Sequence, residues 1–138
     1  MGLVLDSTVF INGERCDLTV LDILQSIRET TGDEDVVISV ITAAELVHGV
    51  WRAQSPEAHA RRLDFVELIF ASVPVKPITL PIVRIAGRVD ADCRAKGITI
   101  PTGDLFIAVT ALDLGFAVGT HNLRHFRLIP KLRVHRLQ

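Results

Sequence analysis

Leu3-Val4-Leu5-Asp6-Ser7 decides the fold: three consecutive apolar residues run straight into a carboxylate and then a hydroxyl. A short, unbroken apolar run suits a strand covered on both faces, as in a parallel sheet, where alternation with polar residues is lost. A charge at its end marks where the chain leaves the core. Ser7 is expected to cap a short helix through Ile11 and Asn12. Leu18, Leu21, Ile23, Leu24 and Ile27 recur at helical spacing and predict a second helix that stops near Gly32.

Outward from there the pattern repeats. Gly32 to Asp35 reads as a turn, Val36 to Val40 as a strand, and Thr42 to Ala53 as a helix. Pro56 opens a helix to about Ser72, Pro fitting a first helical turn that needs no N–H. Val73 to Ile78, interrupted by Pro74 and Pro77, allows at best a short strand. Thr79 to Lys96 is a long helix closed by Gly97, and Ile98 to Gly103 a loop. Asp104 to Leu114 is a helix closed by Gly115. Phe116 to Thr120 is a strand, and Leu132 to His135 a candidate last one. Strands alternating with helices predict an α/β fold, a three-layer α/β/α sandwich with a central parallel sheet. In such sheets ligands gather beyond the carboxyl ends of the strands.

The 138 residues suit one domain, 1–138, and 49% of them are hydrophobic, enough for a core without disulfide or structural metal. Cys16 and Cys93 form no C-x-x-C pair. Each reads as a small buried hydrophobe, in keeping with a reducing, cytoplasmic compartment. No stretch reaches the roughly 18 apolar residues of a membrane span, and Met1 to Ile11 lacks the basic start of a signal peptide. The net charge of −1 hides an asymmetry: all 16 acidic residues fall in the first 120 positions beside 10 basic ones, while the last 18 carry Arg124, Arg127, Lys131, Arg133 and Arg136 and no acid. An acidic body with a basic end suits a cation in one place and phosphate in another.

Three acids have positions that ordinary surface chemistry explains singly but not together. Asp6 ends the first strand, where an N-cap role is the plain alternative. Glu45 lies on a helix where Ala43, Val47, Val50 and Trp51 are expected on one face and Thr42, Glu45, Gly49 and Arg52 on the opposite one; Gly49 leaves room beside the carboxylate. Asp104 opens a helix, Leu105 to Leu112, that is apolar nearly all round and so buried. A carboxylate there is served by the helix dipole, or by a cation that compensates its charge. Converging oxygens select hard ions, Mg²⁺ or Mn²⁺. His48, His59, His121, His125 and His135 show no metal-ligand spacing, so zinc is not indicated. There is no phosphate-binding glycine loop and no nucleophile elbow.

Taken together these pieces resemble the PIN-domain proteins, specifically the toxins of VapBC toxin–antitoxin pairs. The resemblance rests on Leu3-Val4-Leu5-Asp6-Ser7, on Ser39 to Leu46 with Gly49, on Lys96-Gly97, on Asp104-Leu105-Phe106-Ile107-Ala108 and on Thr120-His121-Asn122-Leu123-Arg124-His125-Phe126. It implies a Mg²⁺- or Mn²⁺-dependent endoribonuclease that leaves 5′-phosphate and 3′-hydroxyl ends. Asp6, Glu45 and Asp104 would be the catalytic metal ligands. Asn122 stands at the family's fourth, usually acidic, position and would be an auxiliary ligand without charge, while Ser7 and Thr120 would be supporting polar groups. It also implies an RNA substrate, a VapB-type antitoxin that occludes the acidic pocket, and a homodimer, with Trp51, Phe65, Ile69 and Phe70 as candidate contact surface. Because the fourth acid is missing, the alternative is a catalytically weak PIN-like module that binds nucleic acid or regulates.

Overall fold

The computed structural model describes residues 1–137. Five strands form one all-parallel sheet in the order β3-β2-β1-β4-β5: β1 (Gly2–Leu5), β2 (Asp35–Ser39), β3 (Val75–Lys76), β4 (Ala117–Thr120) and β5 (Val134–Arg136). The central strand β1 is buried along its whole length, as its unbroken apolar run requires.

Alternation along the strands separates two cores. Leu3, Leu5, Ile38 and Ala117 pack with α1 (Ser7–Arg15), α2 (Val20–Thr31), α3 (Val40–Trp51) and α4 (Pro56–Ser72). Val4, Val37 and Val118 pack on the other face with α5 (Leu80–Ala95) and α6 (Thr102–Leu114), joined by Phe126 of the 3-10 turn η1 (Phe126–Leu128) and by Ile129. This is the expected three-layer sandwich. Asp6 leaves the central strand at its carboxyl end, and its side chain continues the face of Val4, towards α6.

The element limits differ from the sequence reading where capping decides them. Asp6, not Ser7, caps α1, its carboxylate accepting the Ser7 N–H at 2.8 Å. Thr19 caps α2 with Asp22 completing a capping box, so Leu18 lies outside the helix and is 42% exposed. Ser39 caps α3, which therefore takes Val40 out of the preceding strand. The two faces predicted for α3 hold only in part: Val50 and the partly buried Ala43 pack in the core as one face, but so does Thr42 of the opposite one. Thr42, Leu46 and Val50, at i, i+4 and i+8, face the core, whereas Val47 is 39% and Trp51 75% exposed. Gly115 closes α6 at φ 69°, a left-handed value that costs glycine nothing. Cys93 is buried as expected, but Cys16 is exposed at the end of α1, where the chain has already turned away from the core. No described helix is long and apolar enough to cross a membrane.

Candidate active site

The site lies at the carboxyl ends of β1 and β4, where α1, α3 and α6 begin or pass. Asp6 is 4% exposed. Its Oδ2 accepts hydroxyl hydrogen bonds from Thr8 and Thr120, both at 2.9 Å. Thr120 is the last residue of β4 and wholly buried; its hydroxyl in turn accepts the Asn122 N–H at 2.9 Å. Thr8 accepts the His121 N–H at 3.2 Å. Two strand ends and the loop after β4 are thus laced to one carboxylate.

The other two acids are held by a single donor each. Ser7 Oγ donates to Glu45 Oε2 at 3.1 Å, bridging α1 to α3. His125 Nδ1 lies 2.7 Å from Asp104 Oδ2, bridging the start of η1 to the first turn of α6. Asp104 also sits where α6 presents its unpaired amide hydrogens, a place that favours negative charge.

The charges of the three acids reach one another. Burial pushes the Asp6 carboxyl above its ordinary value; the hydroxyl bonds from Thr8 and Thr120 oppose the rise, and the Asp104 charge adds to it. Glu45, although exposed as a residue, is pushed up by partial burial first and also by the charges of Asp6 and Asp104, against the Ser7 bond. No lysine or arginine pairs with any of the three among the described residues. A buried carboxylate without a cation is costly, and carboxylate and hydroxyl oxygens are the donors that hard divalent ions take. The donor set therefore fits Mg²⁺ or Mn²⁺, although among the described residues no three His, Cys, Asp or Glu side chains already stand at shared-ligand range.

Of the residues singled out from sequence, Asp6, Ser7, Glu45, Asp104 and Thr120 come together. Asn122 is beside them, but its Oδ1 accepts the Arg124 N–H at 3.1 Å and the residue is exposed, so the side chain closes its own turn rather than entering the cleft. Trp51 is exposed, Phe65 and Phe70 are half-buried, and Ile69 is core at 0% exposure and offers no surface. Thr8 and His125 were missed as site residues. Their only sequence signal is position: Thr8 stands two after the strand-end acid, and His125 three after Asn122 in the same loop. His121, whose proton affinity burial lowers, meets Asn12 at 3.0 Å through Nδ1; an amide N–H donating there leaves the ring proton on Nε2. Beside Glu45 opens a cleft of about 350 Å³ walled by Glu14, Arg15, Gly49, Arg52, Arg62 and Phe65 among others.

Comparison with known proteins adds an independent line. A PIN domain family model matches residues 3–132. Ribonuclease VapC10 of Mycobacterium tuberculosis (strain ATCC 25618 / H37Rv) is 32% identical, over 95% of this chain and 90% of its own length. Ribonuclease VapC1 of Rickettsia felis is 29% identical, over 97% and 95%. The structure of VapBC-1 from nontypeable Haemophilus influenzae superposes with a TM-score of 0.82 at 26% identity, covering 99% of this chain and 98% of that one.

Proposed function

This chain belongs to the PIN domain family, and from that premise we propose that it is a divalent-metal-dependent endoribonuclease, the VapC-type toxin of a toxin–antitoxin pair. The observation that carries the reading is Asp6: a buried carboxylate with no basic partner among the described residues, facing Asp104 and Glu45. Asp6 and Asp104 would be the central ligands of Mg²⁺ or Mn²⁺ and Glu45 a ligand or the group that orients the attacking water. When bound, the ion supplies charge neutralisation of the phosphodiester and a more acidic water.

The chain's own residues do the positioning. Thr8 and Thr120 fix Asp6 Oδ2, Ser7 holds Glu45 and His125 holds Asp104, which limits how far each carboxylate must move as negative charge builds on the phosphoryl oxygens. Water adds to phosphorus, the P–O3′ bond breaks, and the departing oxygen takes a proton, leaving 5′-phosphate and 3′-hydroxyl ends. Single-stranded or looped RNA in the cytoplasm is the substrate, since its backbone and splayed bases are accessible.

The partner is a VapB-type antitoxin. The names VapC10, VapC1 and VapBC-1 among the similar proteins support this. An arginine from that partner, pairing with Glu45 and the aspartates by way of the adjoining cleft, would neutralise the site as a cation does. Cleavage of total RNA by the purified chain with Mg²⁺, Mn²⁺ or EDTA, with end mapping, tests the activity. RNA that is bound but never cut would instead identify a binding module. Slowed growth on expression of this chain alone, relieved by its partner, tests the toxin role.

A further inference from the structure

We propose that Arg124 and Arg136 form a phosphate-gripping shelf on the Asp104 side of the site, which holds the RNA backbone next to the phosphate being cut; this rests on the ribonuclease reading. The last acid in the sequence is Asp113, so the segment beyond it is basic without any acidic neighbour in the chain. Its cations are not equivalent. Arg133 is engaged at the amino end of the sheet, its guanidinium on the Gly115 carbonyl at 3.0 Å. Arg124 and Arg136 are exposed, and neither is in an ion pair among the described residues.

Both are carried to the site by fixed backbone. The Arg124 N–H is tied to Asn122 Oδ1, the Asn122 N–H to Thr120 Oγ1, and that hydroxyl to Asp6. The next residue, His125, bonds Asp104. Arg136 is the register partner of Thr120 at the carboxyl end of β5. Along β5, Val134 packs with the α6 side of the sheet and Leu137 with the other, so alternation sends Arg136 to the side of α6 and η1. One unpaired arginine thus stands within a loop whose polar groups end on Asp6 and Asp104, and the other on the strand beside the start of that loop. An acidic centre repels polyanions until its cation is present, and adjacent fixed positive charge is what brings the strand in.

The test is binding of labelled single-stranded RNA to the full chain in EDTA, where cutting does not proceed, as salt is raised from about 50 to about 200 mM. The double variant Arg124→Ala with Arg136→Ala is expected to lower the slope of log affinity against log salt by about 1.4, at about 0.7 for each single-strand phosphate no longer neutralised. Its affinity should then fall about sevenfold less than that of the unaltered chain over this fourfold rise. The control, Arg28→Ala with Arg133→Ala, removes the same charge near the amino end of the sheet and should leave the slope unchanged. RNA bound and cut with equal slopes in all three proteins overturns the shelf alone. Equal slope loss in control and shelf variants overturns it in favour of diffuse charge. If the unaltered chain neither binds nor cuts RNA, the shelf falls together with the ribonuclease reading.

Discussion

His125 Nδ1 stands 2.7 Å from Asp104 Oδ2, with the two side chains 27% and 28% exposed. The imidazole is carried by a turn whose next residue, Phe126, is 2% exposed in the core, so the donor is placed by packing and not by chance of rotamer. It occupies one carboxylate oxygen and leaves the other for a cation. Loss of such a supporting partner usually costs about 10–100-fold in metal affinity or activity. His125→Ala should raise the Mg²⁺ needed for half-maximal cleavage on that scale and weaken Mn²⁺ binding measured directly, while His125→Asn, which keeps a donor, recovers part of both. Identical metal titrations for the three proteins would remove His125 from the site.

Asp6→Asn and Asp104→Asn should each abolish cleavage while leaving the fold intact. The stability effect at Asp6 has a defined sign. Its folded-state affinity for a proton is raised, by burial first, so its contribution to stability is fully present below the unfolded value of about 3.9 and is lost as pH rises through the folded value. Glu45 acts in the same direction. In EDTA, urea unfolding should therefore show Asp6→Asn gaining on the unaltered chain between pH 4 and pH 7. A gap that shrinks over that range contradicts the assignment.

The same substitution should act oppositely at two buried threonines. Thr120→Val deletes the donor to Asp6 and the acceptor of the Asn122 N–H, and should cost about 1–3 kcal/mol. Thr42 is 0% exposed, and its hydroxyl is without a partner among the described residues. Thr42→Val exchanges that unpaired hydroxyl for a methyl and should be neutral or stabilising by up to about 1 kcal/mol. Thermal melts at neutral pH would expose an error in either sign.

Asn122→Asp keeps the turn bond to the Arg124 N–H and adds a charge beside three acids. With an ion present the added attraction outweighs the added repulsion, so half-maximal cleavage should need less Mg²⁺, whereas Asn122→Ala, which removes only the turn bond, should leave the Mg²⁺ requirement nearly unchanged. Superimposable curves for all three would show that the side chain stays in its turn and never reaches the ligand shell.

Trp51 is 75% exposed, and its ring lies 5.1 Å from that of His59 between centroids. Together with Val40 and Val47 it makes an apolar stripe at helical spacing on the outside of α3. A second copy of the chain is expected there. Trp51→Ser should leave the melting temperature nearly unchanged and shift sedimentation towards the monomer; an unchanged association state places the dimer contact elsewhere.

The layers of the fold were legible because Leu3-Val4-Leu5 and Leu105 to Leu112 are too apolar to lie anywhere but inside. The same reasoning located Asp6 and Asp104, since a charge at the end of a buried element needs a purpose. Helix faces were less legible: on α3 the decisive core residue Leu46 lies between two plausible apolar stripes, and only the packing partners in α1 and α4 choose between them. Bonds such as Thr8 to Asp6 and His125 to Asp104 could not be read at all. They depend on how tightly a turn brings a side chain back, and Ser, Thr and His take such roles or none with equal ease.

The bond between Thr120 and Asp6 closes a loop of 114 residues in the chain. At ribosomal speeds of about 5–20 residues per second, Asp6 is synthesised about 6–23 s before the hydroxyl that holds it. β1 can pair with β2 early, but its other edge waits for β4. A nascent chain can therefore carry Asp6, Glu45 and Asp104 without owning a finished cleft. For an enzyme that attacks RNA while being made on RNA, the order of the strands acts as a built-in delay, arming the nuclease only once β4 has been translated.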